Sequence, residues 1–232
     1  RLYVQGNDLS GDANSLDGAG YSVENFDTTV LNETAVSRIQ GRTDGSISVD
    51  GFFDNATNKI HDTFTSNSGK LPTADQVILV PFGASVGDNM VGMSAKEADY
   101  NVSRSQGSAM TVTSSFNGNG VGGEFGEMLT AHDDTHSSAT DGTAIDNSAS
   151  SSSGGSGYLQ IMSLGSGSVV IKVQDSPDNI TFTDITTFST VGTSDVPTAE
   201  RTEMSGSVGR YIRVQSSGTF TDAKIAVGFA RF

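Results

Sequence analysis

The segment GSISVDGFF, residues 45–53, alternates apolar and polar side chains. Ile47 and Val49 would both face a core in an extended chain, because successive side chains point to opposite faces of a strand. The positions between and beside them carry Ser and Asp. The segment therefore predicts a half-buried β-strand whose outer face is polar and acidic.

Three segments that follow this strand also have strand composition. Residues 76–82 (QVILVPF) form a continuous apolar run of strand length, which predicts a central strand. Residues 90–103 predict another strand. In residues 109–116, apolar side chains alternate with Thr and Ser, which predicts a further half-buried strand.

Two intervals in this region have helical spacing instead. Every fourth residue from Leu31 to Ile39 is apolar, and an Asn and a Gly stand where a helix would begin and end. This pattern predicts a short helix over residues 32–40. Residues 58–69 place two apolar side chains one helical turn apart between an Asn and a Gly, which predicts a second short helix.

Residues 132–157 (HDDTHSSATDGTAIDNSASSSSGGSG) form a low-complexity stretch rich in Ser, Gly and Asp, with almost no apolar anchors. This composition predicts a flexible linker or a long exposed loop. We therefore place a domain boundary here, which divides the chain into residues 1–131 and residues 158–232.

Several short segments of strand composition follow this stretch, with turn residues between them. They are residues 158–164, 168–174, 179–188, 200–204, 210–215 and 223–232. Short strands at such close spacing predict a small antiparallel β-sandwich or jelly-roll module. The expected fold class is therefore all-β with one or two short helices.

The composition excludes several kinds of site. The chain has 232 residues and no Cys, which rules out disulfides, thiolate metal ligands and a Cys nucleophile. No apolar stretch approaches the ~18 residues of a spanning helix, so we expect no membrane association. The first residues also lack the apolar core of a signal peptide. Only 34% of the residues are hydrophobic, which predicts that neighbouring subunits contribute to burial.

Negative charge is concentrated in the first part of the chain. Residues 1–150 hold 20 Asp and Glu against 7 Lys and Arg, a net charge of −13, whereas residues 151–232 hold 7 against 6, a net charge of −1. A surface this acidic repels phosphates, so it does not suit DNA binding by phosphate neutralisation. It remains compatible with DNA passing nearby, and also with a simple solubility role.

Four segments of the sequence carry a resemblance to a known family. They are residues 9–13 (LSGDA), 36–53 (VSRIQGRTDGSISVDGFF), 123–130 (GEFGEMLT) and 210–231 (RYIRVQSSGTFTDAKIAVGFAR). In this order, they resemble major tail proteins (tail tube proteins) of long-tailed siphophages. The resemblance covers nearly the whole chain, which departs from the pattern by its Ser- and Gly-rich insert. It implies an N-terminal tail-tube-type β-sandwich or barrel and a C-terminal decoration module that is immunoglobulin-like or carbohydrate-module-like.

The resemblance also implies a function. It implies a structural virion protein that assembles in the host bacterium's cytoplasm into stacked hexameric rings, forming a tail tube with an acidic lumen for DNA ejection. The implied partners are further copies of the chain, the tape measure, tail terminator and distal tail proteins, and passing DNA that is not specifically bound. It implies no cofactor.

Four acidic residues of the first half are candidates for the lumen surface. Asp12, Asp44, Asp50 and Asp54 lie on or beside predicted strands and loops. A conduit for DNA must not grip phosphates, because many Lys or Arg contacts would add up to a large affinity. Our hypothesis is that these carboxylates face the passing DNA.

Other patterns favour turns and loops over chemistry. Residues 118–123 match GxGxxG, but no helix pattern follows, so a glycine-rich loop is favoured over a dinucleotide site. Residues 132–136 (HDDTH) cluster potential metal ligands within the low-complexity stretch, which favours a solvated loop. Asp175, Asp178 and Asn179 could bind Ca²⁺, but the spacing of an EF-hand loop is missing and a turn explains them equally well.

Two other classes of function stay open. The 158–232 sandwich could hold surface saccharides in an adhesin or capsid-decoration protein, although it offers few aromatic residues for a sugar platform. An enzyme ranks far lower, because the chain has three His, no GxSxG motif and no convergent acid, base and nucleophile. We therefore name no catalytic, cofactor-binding or metal residue.

Overall fold

A computed structural model describes residues 1–66 and 69–232, and almost all of its regular structure is β. Strands account for 57% of the chain and helix for 2%, which confirms the all-β prediction. The elements are β1 (Tyr3–Val4), β2 (Asn7–Asp8), β3 (Ala13–Asp27), β4 (Arg38–Phe52), α1 (Ile60–Phe64), β5 (Gln76–Pro81), β6 (Asn89–Ser103), β7 (Thr111–Gly118), β8 (Glu124–Met128), β9 (Asp134–His136), β10 (Thr140–Asp141), β11 (Ile145–Asp146), β12 (Gly155–Ser163), β13 (Ser166–Ser176), β14 (Thr183–Thr187), β15 (Val191–Gly192), β16 (Thr198–Met204), β17 (Tyr211–Thr221) and β18 (Ala223–Arg231).

The larger sheet has twelve strands and is nearly closed, like a barrel. Its main order is β16-β12-β18-β8-β6-β5-β1-β2, and β3, β4 and β7 attach through β6. All but the last residue of the predicted strand at residues 45–53 lies in β4, where Ile47 and Val49 are buried in the core and the adjacent Ser and Asp are exposed. Every residue of β5 is buried, which confirms the predicted central strand.

The helix predicted over residues 32–40 is wrong. This segment turns between β3 and β4, and the pairing of Asp27 with Arg38 already places its last residues in a strand. Leu31 and Ile39 are exposed, so their four-residue spacing marks no buried helical face. A helix of this length needs tertiary packing of its apolar face, and none is present here.

The second predicted helix is confirmed as α1, whose Ile60 and Phe64 side chains are buried in the core. The predicted span of 58–69 also included residues 67 and 68, which lie outside the described residues. Phe64 packs edge-on against Phe116 of β7, with 5.2 Å between ring centroids. The helix therefore packs against the core beside the β4–β7 pair.

The second sheet consists of β10, β11, β13, β14, β15 and β17. It packs on β12, β16 and β18 through one apolar cluster that includes Ile171, Val214, Leu159 and Val227, so the C-terminal half contains a sandwich. However, β18 also pairs with β8 of the N-terminal half. The larger sheet therefore runs across the predicted boundary, and the independence of the two halves stays a prediction.

About half of residues 132–157 are exposed, and the segment is attached at several points. The strands β9, β10 and β11 pair with β18 and β17, and β12 begins at Gly155. Arg210 also holds Asp146 through two contacts of 2.6 Å. Two- and three-residue strands on an existing sheet edge need no apolar alternation, so composition alone predicted a freer linker than the structure has.

One carboxyl group lies inside the larger sheet. Glu97 of β6 is 7% exposed and accepts hydrogen bonds from Gln76 Nε2 (3.1 Å) and Ser114 Oγ (2.8 Å). Burial raises the pKa of Glu97 from 4.5 to about 7, and the nearby Asp99 adds to the rise, while the two hydrogen bonds oppose it. The folded state therefore favours the protonated carboxyl.

Replacing Glu97 with Gln is expected to remove a pH dependence of stability. Because its pKa is raised on folding, the carboxyl contributes most stability below pH 4.5, and the contribution disappears as the pH rises through about 7. As the pH rises from 4.5 to 8, the free energy of unfolding of Glu97→Gln should therefore increase by up to about 3 kcal/mol relative to that of the wild type. Urea unfolding at several pH values measures this, and an equal gain in the exposed control Glu24→Gln would contradict the assignment.

Candidate assembly surfaces

The hairpin of β3 and β4 extends beyond the rest of the larger sheet. The 46–52 part of β4 pairs with both β3 and β7, but residues 38–45 pair only with β3. We call residues 21–45 the arm. Seven residues of a strand at ~3.3 Å each make the arm roughly 23 Å long. Its far end therefore stands clear of the body of the subunit.

The tip of the arm, residues 28–37, is held by local hydrogen bonds but is not covered. Thr28 N donates to Ser37 O at 2.9 Å, and Asp27 Oδ1 accepts a hydrogen bond from Thr29 N at 2.9 Å. Leu31 is 109% exposed, and Val30 and Val36 are each 55% exposed. An ordered turn that presents three apolar side chains to solvent is typical of a contact surface.

Three glycines allow close approach of backbones at the base of the arm. A Cβ added to Gly45 would lie 2.6 Å from Gly123 N and 2.9 Å from the Gly122 backbone. A Cβ added to Gly123 would lie 2.4 Å from Gly20 O. The arm is therefore positioned directly against the loop that connects β7 with β8.

We expect Gly45→Ala to lower the free energy of unfolding by ~1–3 kcal/mol, because the added methyl group meets backbone atoms that cannot rotate away. Gly11→Ala is the matched control, since no atom lies within 4 Å of its added Cβ, and it should change stability by less than about 0.5 kcal/mol. Denaturant unfolding of both variants measures the difference. Equal changes in the free energy of unfolding would show that the close backbone approach at Gly45 does not contribute to stability.

A groove with exposed aromatic rings lies beside the arm base. Tyr21 and Phe125 meet edge-on with ring centroids 6.0 Å apart, and Phe82 lies 6.4 Å beyond Phe125. A cavity of about 910 Å³ is lined by Tyr21, Phe125, Phe232, Arg42 and the glycine-rich loop. We call this the aromatic groove. Tyr21 is 59% exposed and Phe125 is 49% exposed, which is unusual for large aromatic side chains.

The glycine-rich loop that lines this groove is residues 118–123. It connects β7 with β8, both of them strands, so the loop interpretation is confirmed and no βαβ unit is formed. Because these glycines have no side chains, the backbone of the arm base can approach the loop closely, as it does between Gly45 and Gly123. The loop itself was predictable from its glycines, but its contact with the arm was not.

The outer face of β3, β4, β6 and β7 carries a polar, acidic surface. One row across the strands consists of Asp17, Ser48, Ser115 and Asp99, each paired with the next. Asp50 lies in the neighbouring row beside Ser15, whose Oγ donates to it at 3.1 Å. We call the exposed carboxylates Asp17, Asp44, Asp50 and Asp99 the acidic face.

The structure distributes the four predicted lumen residues over different environments. Asp44 and Asp50 are exposed on β4, on the same side of the strand. Asp54 is half-buried in the turn after β4, where Oδ1 accepts a hydrogen bond from Ala56 N at 2.9 Å. Asp17 and Asp99 were not predicted, because their place beside β4 depends on strand register.

Asp12 is a correction to the predicted set. It is 7% exposed, its Oδ2 accepts a hydrogen bond from Ile60 N at 3.3 Å, and Lys59 Nζ lies 3.5 Å from Oδ1. The carboxylate therefore holds the start of α1. A side chain used in this way inside the subunit does not face a lumen.

A buried ion pair connects the two halves of the chain. Arg201 of β16 donates to Glu124 of β8 through Nη2 (2.7 Å) and Nε (3.2 Å), and Tyr158 of β12 donates its hydroxyl to the same carboxylate. The side chains of Arg201 and Glu124 are 13% and 12% exposed. We call these three residues the clasp, and burial and the adjacent carboxylate raise the pKa of Tyr158 far above its usual range.

Ser216, His136 and Asp134 lie in the order of a hydrolytic triad but are not accessible. Ser216 Oγ is 2.7 Å from His136 Nδ1, and Asp134 Oδ2 is 3.5 Å from His136 Nε2. Ser216 is 1% exposed, and its Oγ also accepts a hydrogen bond from Thr140 N at 3.0 Å. These contacts attach β9 and β10 to the sandwich, and a substrate could not reach the hydroxyl.

The other candidate ligand groups serve structural contacts. Asp133 pairs with Arg1 at 2.5 Å and with Lys224 at 2.7 Å. Asp178 Oδ1 accepts hydrogen bonds from Ile180 N and Thr181 N, which supports the turn interpretation. Within residues 1–66 and 69–232, no group of three or more His, Asp or Glu is placed to hold a metal ion. In the same residues, no helix is long and apolar enough to cross a membrane.

No protein-family model and no curated protein matches the chain. Among solved structures, it is similar to the tail of an empty gene transfer agent particle refined with C6 symmetry, at 18% identity over 52% of this chain and 92% of that one, with a TM-score of 0.37. It is also similar to the Dit protein of phage SPP1, a hub of the adsorption apparatus, at 11% identity over 100% and 98%, with a TM-score of 0.36.

A third similar structure is the phage p2 baseplate in its activated conformation, at 10% identity over 100% of this chain and 98% of that one, with a TM-score of 0.32. These neighbours are tail and baseplate proteins of virus-like or phage particles. All three TM-scores are below 0.5, so neither the fold nor the function of this chain follows from them. The chain's own surfaces define an all-β protein with an exposed arm, an aromatic groove and an acidic face.

Proposed function

We propose that this protein is a structural subunit of a phage tail, which self-assembles into stacked hexameric rings that form the tail tube. The observation that carries the proposal is the arm, whose two strands pair only with each other and whose tip exposes Val30, Leu31 and Val36. An ordered arm of this kind lacks a partner within the described chain. Repeated contacts between different surfaces of identical subunits close into rings when the rotation permits.

The acidic face suits the lumen of such a tube. Asp17, Asp44, Asp50 and Asp99 project from a face otherwise rich in Ser, Thr and Asn. Carboxylates at the bore would keep DNA phosphates from binding, so that DNA could pass to the host during ejection. Asp54 stays a candidate at the margin of this face.

The proposed location is the virion tail, after assembly in the bacterial cytoplasm. Rings in this position would contact further copies of the chain above and below, and the tape measure, tail terminator and distal tail proteins at the bore and the tube ends. No catalytic residue or cofactor is proposed. The Ser216–His136 pair is buried, which supports a structural role for it.

The saccharide-binding alternative is less well supported by the sandwich surface. The Arg213 guanidinium lies 4.0 Å from the ring centroid of Phe182, and the Arg210 guanidinium lies 5.0 Å from that of Tyr211. Phe188 and Phe220 are buried in the core. Rings covered in these ways are poor stacking platforms for sugars.

Negative-stain electron microscopy of the full-length chain at high concentration tests the proposed function. We expect rings with sixfold symmetry and short stacked tubes with a central channel. A chain that stays monomeric at the highest soluble concentration would contradict the proposal. Tight binding of duplex DNA to the wild-type assembly at physiological salt would contradict the role of a passive conduit.

Charge reversal on the acidic face should create DNA affinity. Assembled Asp44→Lys or Asp50→Lys subunits present a ring of new ammonium groups, so duplex should bind at low salt and dissociate as salt rises. Asp195→Lys, an equal charge change at an exposed turn of the sandwich, is the control. Fluorescence anisotropy of labelled duplex across a salt series measures this, and equal binding to all three variants would show that the acidic face does not meet DNA.

A further inference from the structure

We infer that the tip of one subunit's arm seats in the aromatic groove of the next subunit. This inference rests on the proposed self-assembly and deepens it by naming the two surfaces that meet. The tip is the 28–37 turn with Val30, Leu31 and Val36. The groove is lined by Tyr21, Arg42, Phe125 and Phe232.

The tip cannot occupy the groove of its own subunit. The groove lies at the base of the arm, where Tyr21 pairs with Gly45, whereas the tip begins where Asp27 pairs with Arg38. The paired strands between these two points hold the tip roughly 23 Å from the base. Any occupant of the groove with the chemistry of the tip must therefore come from another copy.

The two surfaces match in polarity. The tip presents branched aliphatic side chains on a narrow turn, and the groove presents the faces and edges of aromatic rings around a cavity of about 910 Å³. Aliphatic side chains pack well against aromatic rings, and burial of both removes apolar surface from water. Each surface alone leaves large apolar side chains exposed, and their contact would cover both.

The two surfaces also match in charge. Glu33 at the tip hydrogen-bonds Ser37 Oγ at 2.7 Å and forms no ion pair with the rest of the described chain. Arg42 in the groove is likewise exposed, and no carboxylate of residues 1–66 or 69–232 lies within 4.0 Å of its guanidinium. Glu33 at the tip and Arg42 in the groove therefore each have a free charge for the other.

The geometry makes the contact directional. The tip and the groove are different surfaces of one subunit, so their contact is heterologous, and every subunit offers one of each. Subunits joined in this way form either a closed ring or a continuing stack. A head-to-head dimer would not use this contact.

Engineered cysteines test the inference in a chain that has none of its own. Thr43 is exposed and lines the groove next to Arg42, so Leu31→Cys and Thr43→Cys place one thiol on each surface. Under mild oxidation at assembly concentration, the double variant should form a ladder of disulfide-linked oligomers. The matched control is Leu31→Cys with Ile180→Cys, whose second thiol lies on an exposed turn of the sandwich.

The ladder should exceed that of the control at least severalfold and should disappear when the chain is diluted below its assembly concentration. Assembled particles that give no more ladder than the control would overturn the inference while leaving the proposed function standing. A wild-type chain that never assembles would overturn both. An intramolecular disulfide in the Leu31→Cys/Thr43→Cys variant would show that the tip can reach the groove of its own subunit. That result would contradict the rigid arm on which the inference depends.

A charge swap provides a second, independent measurement. Glu33→Arg and Arg42→Glu should each raise the assembly concentration about two- to fivefold, as loss of one exposed ion pair predicts. The double variant, in which the pair is restored in reverse between copies, should return close to the wild-type value. The pairing would be contradicted if the single variants had the wild-type assembly concentration. It would also be contradicted if the effects of the two substitutions added up in the double variant.

Discussion

Arg201→Met is expected to lower the free energy of unfolding by ~3–5 kcal/mol, because it leaves the buried Glu124 carboxylate without its cation. The clasp residues come from β8, β12 and β16, so the loss should weaken the junction between the two halves. Chemical unfolding followed by circular dichroism measures the effect. A second transition at lower denaturant would indicate that the halves have begun to unfold separately.

Two control variants show whether the clasp acts as a unit. The double variant Glu124→Leu/Arg201→Met removes both charges, so it should recover a large part of the stability lost in Arg201→Met. Arg210→Met removes an arginine with similar contacts to Asp146 on the exposed surface, and it should cost much less. If Arg210→Met were as damaging as Arg201→Met, burial would not explain the role of the clasp.

Deletion of the arm is expected to abolish assembly while leaving the subunit folded. Tyr21 and Gly45 face each other across the hairpin, so residues 22–44 can be replaced by Asn-Gly, the pair that favours a two-residue hairpin turn. None of the deleted side chains belongs to the described core clusters. Rings and tubes should therefore be absent from micrographs in which wild-type protein forms them.

The stability of the shortened subunit is the control for this result. Its thermal midpoint at a concentration where the wild type is monomeric should lie within a few degrees of the wild-type value. Assembly of the shortened subunit into normal tubes would show that the arm is dispensable. If the shortened subunit fails to fold, Leu31→Asp provides the alternative test, because it changes only one exposed side chain and should also prevent assembly.

The strands that were predicted each have a local signature, whereas β3 (Ala13–Asp27) lacks a regular alternation of buried and exposed residues and was not predicted. Alternation in residues 45–53 and the apolar run in residues 76–82 both reflect burial on the faces of a sheet. The false helix at residues 32–40 had a helical spacing as regular as that of α1. The two differ in whether a core lies within reach, as it does for Ile60 and Phe64, and sequence spacing does not contain that information.

The candidate surfaces were predictable only in part. The acidity of β4 was visible in Asp44 and Asp50, but the contributions of Asp17 and Asp99 depend on the register of three strands. Asp12 has the same composition signal as the other candidates, and it is buried because α1 packs over it. The aromatic groove joins residues far apart in the chain, such as Tyr21 and Phe125, so no local pattern marks it.

The position of β18 has a consequence for synthesis of the protein. This strand, Ala223–Arg231, pairs with β12 on one side and with β8 on the other. A ribosome adds ~5–20 residues per second, so a nascent chain that has reached Met128 waits roughly 5–20 s before its neighbour strand exists. During that interval, the edge of β8 that pairs with β18 is open. A newly made chain therefore cannot complete its larger sheet until β18 has been synthesised.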